Sequence, residues 1–313
     1  MARPRIGVVA VLVFLLHLLI PAVVESTVFT ITNNCRHPVW PGILSNAGVA
    51  LLSPTGFVLQ QHESKTITAP TSWAGRMWGR TQCSGDSTGK FSCSTGDCGS
   101  GKVECDGNGA APPATLIEFT LDGYGGKDFY DVSLVDGYNL PVLVTPRGGA
   151  GQNCSITGCI ADLNGACPSE LTVMSSEGSK VACKSACEAF EKPEYCCVGA
   201  YASPATCKAT SYSQMFKSLC PYAYSYAYDD GTSTFTCSSS PDYVITFCPS
   251  PNTSQKSSES QSPDESSTGV EVFQSATMVY SGARSRVRLP TTVATVLGSI
   301  FAAVILPGMR LFA

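Results

Sequence analysis

The stretch Asp128-Phe129-Tyr130-Asp131-Val132-Ser133-Leu134-Val135-Asp136-Gly137-Tyr138-Asn139-Leu140-Pro141-Val142-Leu143-Val144 decides how this chain is read. Residues 129–135 and 138–144 are candidate strands, and Asp136-Gly137 between them suits a tight turn, so the pattern predicts a β-hairpin. Working outward, Ile117, Phe119 and Leu121 alternate with Glu118, Thr120 and Asp122. A strand here buries the first set and turns Glu118 toward water or a cleft. Residues 27–32 and 242–247 read as the opening and closing strands. The fold is predicted to be mainly β.

Sixteen cysteines lie between Cys35 and Cys248 and none outside. The even count predicts a secreted domain cross-linked by up to eight disulfides. Metal binding is the rival use of so many thiols, but the spacings give no paired C-x-x-C knuckles and Cys183 and Cys187 have no nearby histidines. No metal and no cofactor is therefore expected. Beyond the leader only His37 and His62 remain, which argues against a hydrolase built on a histidine base. Residues 81–113 hold four cysteines among many glycines, so disulfides must define their shape. Residues 179–190 and 213–219 carry helical spacing, the latter with Met215, Phe216 and Leu219 on one face. They predict a disulfide-held helical lobe inserted late in the chain.

The flanks differ in composition. Residues 1–26 read as a secretory signal, with Arg3 and Arg5 ahead of an apolar run. Residues 249–283 are rich in Ser, Thr, Pro, Gln and Glu and cannot bury enough surface to fold, which makes them a tether. Ser281-Gly282-Ala283, a short polar spacer and an apolar run fill out 281–313. That order fits a GPI-attachment signal with Ser281 as the lipid site, with a plain transmembrane anchor as the alternative. Sequons at Asn153 and Asn252 are candidate glycosylation sites. The segment 27–248 carries 13 Lys plus Arg against 19 Asp plus Glu, a net charge of −6. An acidic surface repels nucleic acid and anionic lipid, which leaves neutral ligands such as glycans as the easier partners.

The chain resembles the thaumatin-like family of plant pathogenesis-related proteins. The resemblance rests on Asn33-Asn34-Cys35 with Trp40, Met77-Trp78-Gly79-Arg80-Thr81, Thr95-Gly96-Asp97-Cys98 and Pro112-Pro113-Ala114-Thr115-Leu116. It continues through residues 128–139, Tyr195-Cys196-Cys197 and Thr232-Ser233-Thr234-Phe235-Thr236-Cys237. It implies a β-sandwich drawn from about 27–80, 114–160 and 221–248, a disulfide-held loop domain at about 81–113, and a disulfide-rich helical lobe at about 161–220. By the same resemblance Cys35 pairs with Cys248, Cys83 with Cys93, Cys98 with Cys105 and Cys154 with Cys237. Cys159 then pairs with Cys220, Cys167 with Cys183, Cys187 with Cys196 and Cys197 with Cys207.

Members of the family associated with antifungal action share an arginine and four acids lining a cleft. By motif position these resemble Arg76, Glu118, Asp131, Asp136 and Asp230, with Asp229 adjoining the last. Clustered carboxylates raise the proton affinity of at least one member while an arginine holds another ionised, and such a pair is the minimum apparatus of a glycosidase. In that role Glu118 is the proton donor and Asp131 or Asp136 the base or nucleophile. Tyr222, Tyr224, Tyr226 and Tyr228 alternate with small residues, so an extended segment would place all four on one face. Position 222 departs from the family, which usually has aspartate there. The resemblance implies an extracellular, monomeric, defence-type protein that binds β-1,3-glucan or a related cell-wall glycan. A weak endo-β-1,3-glucanase using the same carboxylates, and a non-enzymatic surface or inhibitory module, are the alternatives.

Overall fold

The computed structural model describes residues 26–239 and 241–250. The expected signal (1–26), tether (249–283) and tail (284–313), with Asn252 and Ser281, lie outside the described residues save for their edges at 26 and 249–250. Among the described residues no helix is long and apolar enough to cross a membrane.

Two sheets make the scaffold. The first contains β1 (Ser26–Asn33), β3 (Ser64–Pro70), β8 (Val142–Arg147), β9 (Thr157–Cys159) and β13 (Asp242–Phe247), in the order β3-β1-β13-β8-β9. The second runs β12 (Phe235–Cys237), β7 (Asp128–Ser133), β6 (Leu116–Thr120), β4 (Ala74–Gly85), β2 (Trp40–Ser45), and β5 (Phe91–Thr95) pairs with β4. Period-two alternation buries one face of each sheet against the other. Phe29 and Tyr243 of the first sheet meet Phe119 and Tyr130 of the second, with ring centroids 4.7 Å apart for Phe29–Phe119 and 5.2 Å for Tyr130–Tyr243. Such edge and tilted contacts add to the apolar burial that holds a sandwich together.

The first and last strands pair in parallel, Phe29 opposite Tyr243 and Asn33 opposite Phe247. Cys35 and Cys248 follow directly and are bridged. All eight disulfides join the pairs that the resemblance implied, and no described cysteine is left over. The loop segment 81–113 is anchored to the sheet by Arg80, whose buried guanidinium donates to Trp40 O at 2.9 Å and Val103 O at 2.6 Å. Trp78, Leu116, Ala114, Cys98 and Cys105 form a small apolar cluster beneath it. That segment therefore covers one end of the outer face of the second sheet. The late lobe holds α1 (Leu163–Ala166), β10 (Thr172–Met174), β11 (Lys180–Cys183), α2 (Ala186–Phe190), α3 (Pro193–Cys196) and α4 (Ser211–Leu219). A last short helix, α5 (Asp230–Ser233), precedes β12.

Three expectations are corrected. The hairpin across Asp136-Gly137 does not form: β7 belongs to the second sheet, β8 begins only at Val142 and belongs to the first. Gly137 does sit in a tight turn, at φ +83°, but a Cβ there would stand 2.6 Å from Pro113 Cβ and 2.8 Å from Cys183 O. The turn is thus wedged against the loop segment and the late lobe, and Tyr138 exchanges both backbone hydrogen bonds with Cys183 instead of pairing back on β7. Residues 179–190 are not one helix. β11 ends at Cys183 and Ser185 caps α2 by accepting from Glu188 N–H, so helical spacing holds only beyond it. The four tyrosines do not share a face, because only Tyr224 pairs with a strand: Tyr222 is 39% exposed against Phe235 and Tyr224 is buried.

Candidate functional site

Strand register builds the site. Leu44 of β2, Arg76 of β4, Glu118 of β6 and Asp131 of β7 lie opposite one another in a single row across four strands. The neighbouring row, Ile43, Met77, Ile117 and Val132, is 0–1% exposed and fills the core. A one-residue offset turns every side chain to the other face, so the charged row must point out of the sandwich. Opposed residues have Cβ atoms about 4.5–5.5 Å apart, which forces these charges into contact range. Arg76 Nε stands 3.8 Å from Glu118 Oε1, and Arg76 and Asp131 are 8% and 7% exposed. The Oδ1 atom of Asp131 is buried and accepts no hydrogen bond from the described residues.

Asp136 follows β7 in the wedged turn, and its charge environment includes Glu118 and Arg76. Asp230 opens α5, accepts the Tyr224 hydroxyl at 2.9 Å and couples electrostatically to Asp131. The structure therefore brings together all five residues that the resemblance assigned. Asp229 plays a different part: its Oδ2 ion-pairs with Lys217 Nζ at 2.9 Å and accepts from Ser225 N–H and hydroxyl, which commits it to the loop. Asn153, the inner sequon, donates its amide to Thr234 O at 2.9 Å, and the next residue is bridged to Cys237.

Burial shapes the protonation of the site. Desolvation raises the proton affinity of Glu118, and Arg76 only partly offsets it. Asp131 is raised further, by burial and then by the charges of Glu118 and Asp230. Asp136 is pushed up to about 6 by burial and by Glu118. A fifth carboxyl emerges from the late lobe. Glu188, in the first turn of α2, is pushed up to about 7 by burial, with Asp136 adding to the rise and Lys184, 3.9 Å away, opposing it. The pattern Ser185-x-x-Glu188, a helix-start signature, was the signal that placed this carboxyl, and a continuous helix from 179 obscured it.

These shifts set a pH dependence. A carboxyl whose folded pKa lies above its unfolded value keeps its proton longer in the native state, so stability is present at low pH and lost as pH rises through the folded value. For Asp136 and Glu188 the window runs from about 4 to about 7. Urea unfolding is expected to give lower stability at pH 8 than at pH 4.5, and the double variant Asp136→Asn, Glu188→Gln should flatten that slope. An equal slope in the variant removes these two groups as its cause.

The arrangement has one guanidinium and several carboxyls on an outward face, able to accept hydrogen bonds from hydroxyl-rich ligands and to exchange protons. Among the described residues no group of three or more His, Cys, Asp or Glu is suited to hold a metal ion. The Thaumatin family model matches residues 33–249. Thaumatin-like protein 1 of Pyrus pyrifolia is 56% identical over 226 residues, which covers 72% of this chain and 92% of that protein. The PR5-like receptor kinase of Arabidopsis thaliana is 57% identical over 229 residues, covering 72% of this chain and 34% of the kinase. Among solved structures, a GH family 64 laminaripentaose-producing β-1,3-glucanase from Paenibacillus barengoltzii, complexed with laminarihexaose, gives a TM-score of 0.47 at 13% identity, over 74% of this chain and 78% of that one. By its family match, its identity to these relatives and its eight disulfides, this chain belongs to the thaumatin family.

Proposed function

We propose that this chain is an extracellular, plant defence-type protein that binds β-1,3-glucan or a related neutral cell-wall glycan in the acidic cleft. The observation that carries the reading is the row Arg76–Glu118–Asp131, turned outward by strand register and flanked by Asp136 and Asp230. Carboxylates accept from sugar hydroxyls and the guanidinium donates to sugar oxygens, and charge-assisted hydrogen bonds of this kind are about twice as strong as neutral ones. A neutral polymer meets no repulsion from a domain of net charge −6. The tail expected from the sequence would display the domain at the outer cell surface.

Weak endo-hydrolysis is the second reading, favoured by carboxyls whose proton affinity burial raises, that of Asp136 up to about 6, beside an arginine. The burial pattern then reverses the roles expected from the sequence: Asp131, whose proton affinity is raised further, suits the proton donor, and Glu118, 3.8 Å from the Arg76 guanidinium, suits the ionised nucleophile. Neighbouring positions in one cross-strand row suit the carboxyl spacing of about 5–5.5 Å of a retaining mechanism better than the ~6.5–9.5 Å of an inverting one.

Incubation with insoluble β-1,3-glucan separates the readings. Binding predicts retention of the protein without released sugar, weakened about tenfold by Glu118→Gln. Release of oligosaccharide that Glu118→Gln abolishes would establish hydrolysis. A wild-type protein that neither stays on the polymer nor releases sugar refutes both.

A further inference from the structure

The segment that carries Asp230 touches the outer edge of β7 twice. Tyr224 pairs in parallel with Ser133, its N–H donating to Val132 O and its carbonyl accepting from Leu134 N–H, both at 2.8 Å. Further on, β12 pairs antiparallel with the same strand, Phe235 opposite Tyr130. Asp131 falls between these attachments. The intervening residues 225–234 therefore arch past Asp131, with Asp230 on the arch and its charge felt by Asp131.

A buried tyrosine and a half-buried lysine close the arch. The Tyr224 hydroxyl, on a residue only 2% exposed, meets both Asp230 Oδ1 at 2.9 Å and Thr234 Oγ1. Tyr224 donates its one hydroxyl proton to Asp230 Oδ1, so the Thr234 hydroxyl is the donor to Tyr224. Lys217, reaching from α4, donates to Ala223 O at 3.1 Å before the arch and to Ser233 Oγ at 2.7 Å near its far end. Its third contact is the ion pair with Asp229 beside Asp230. Three donors of one ammonium thus tie the start, the crown and the end of one loop.

We propose that Lys217 and Tyr224 are positioning residues that fix Asp230 at the rim of the cleft to receive a neutral sugar chain; the inference rests on the glycan reading of the site. Asp230 is exposed and sits on a short loop, so a loose arch would lose conformational freedom on binding. The latch removes that loss beforehand. It also fills Oδ1 with the tyrosine proton, which leaves Oδ2 as the acceptor for a sugar hydroxyl.

The test is a double-mutant cycle on the whole folded domain with a soluble β-1,3-linked glucose hexasaccharide. Tyr224→Phe should weaken affinity about tenfold in the wild-type background and cause no further loss in Asp230→Asn, because it acts through that carboxylate. Lys217→Met should behave likewise, and Lys217→Arg should restore most of the affinity. Equal losses from Tyr224→Phe in both backgrounds overturn the positioning role. In parallel, hydrogen exchange of the Ser225 and Thr234 amides should speed up about tenfold or more in Lys217→Met while that of Tyr130 stays put. Unchanged exchange overturns the latch whether or not the wild type binds the sugar. A wild type that fails to bind while the exchange does change refutes the glycan reading and, with it, the purpose assigned to the latch.

Discussion

Replacing both Cys35 and Cys248 by serine is expected to cost this domain about 5 kcal/mol, the largest stability loss of any single bridge. The two cysteines are separated by 213 positions, and the chain-entropy treatment gives a loop of that size roughly 5 kcal/mol, against about 3 kcal/mol for the nine-position separation of Cys187 and Cys196. The location adds to the effect. Asn34 N–H donates to Phe247 O and Cys248 N–H to Pro141 O, so the bridge lies where β1 and β13 leave the middle of the first sheet. Calorimetry should show a melting temperature roughly 10–20 °C lower for the end-to-end variant and about half that change for Cys187→Ser, Cys196→Ser. Equal shifts would mean that closing the whole chain is not what the long bridge supplies.

Replacing Arg76 by methionine is expected to be the most damaging change to the site. Its charge lowers the proton affinity of Glu118, Asp131 and Asp136. Methionine keeps much of the apolar stem but leaves three carboxyls facing one another with no cation in their row. Removing one member of a buried pair costs about 3–5 kcal/mol. The remaining groups can relieve it only by taking up protons at higher pH. The Asp136 titration midpoint, followed by carbon NMR of its carboxyl, should move upward from about 6, and glucan affinity should fall at least tenfold, of order 1.4 kcal/mol. Arg76→Lys keeps the charge without the planar fork, so it should hold the Asp136 midpoint better than it holds affinity. An Asp136 midpoint that does not move in Arg76→Met would show that the guanidinium does not govern the cleft.

The sequence carried the parity of the site because parity is local. Ile117 and Phe119 against Glu118 states which face is wet, and the structure turns Glu118 outward as that alternation requires. It did not carry the partner of a strand. Asp136-Gly137 is a valid turn in either setting, and only the distant Pro113 and Cys183 decide that the chain crosses to the other sheet there. Disulfide connectivity came from the family resemblance, since spacing alone leaves many pairings open. Glu188 and Lys217 were missed, and Tyr224 was read only as one of four alternating rings, for a related reason. Each sits on a segment whose position depends on tertiary contacts: Tyr138 with Cys183 for Glu188, the Cys159–Cys220 bridge at the end of α4 for Lys217, and the attachment to β7 for Tyr224. The tyrosine alternation at 222–228 misled because small residues between aromatics also fit a turning segment, and of the four only Tyr224 makes a backbone bridge to a strand.

The central claim is that a row of outward charges set by strand register receives a neutral glucan. Carboxyl carbon NMR during titration with a β-1,3-linked glucose hexasaccharide reads this residue by residue. The resonances of Glu118, Asp131, Asp136 and Asp230 should shift together along one saturating curve, with those of Asp86, Glu170 and Asp242 left in place. Shifts confined to the second group, or none at all at millimolar sugar, would contradict it.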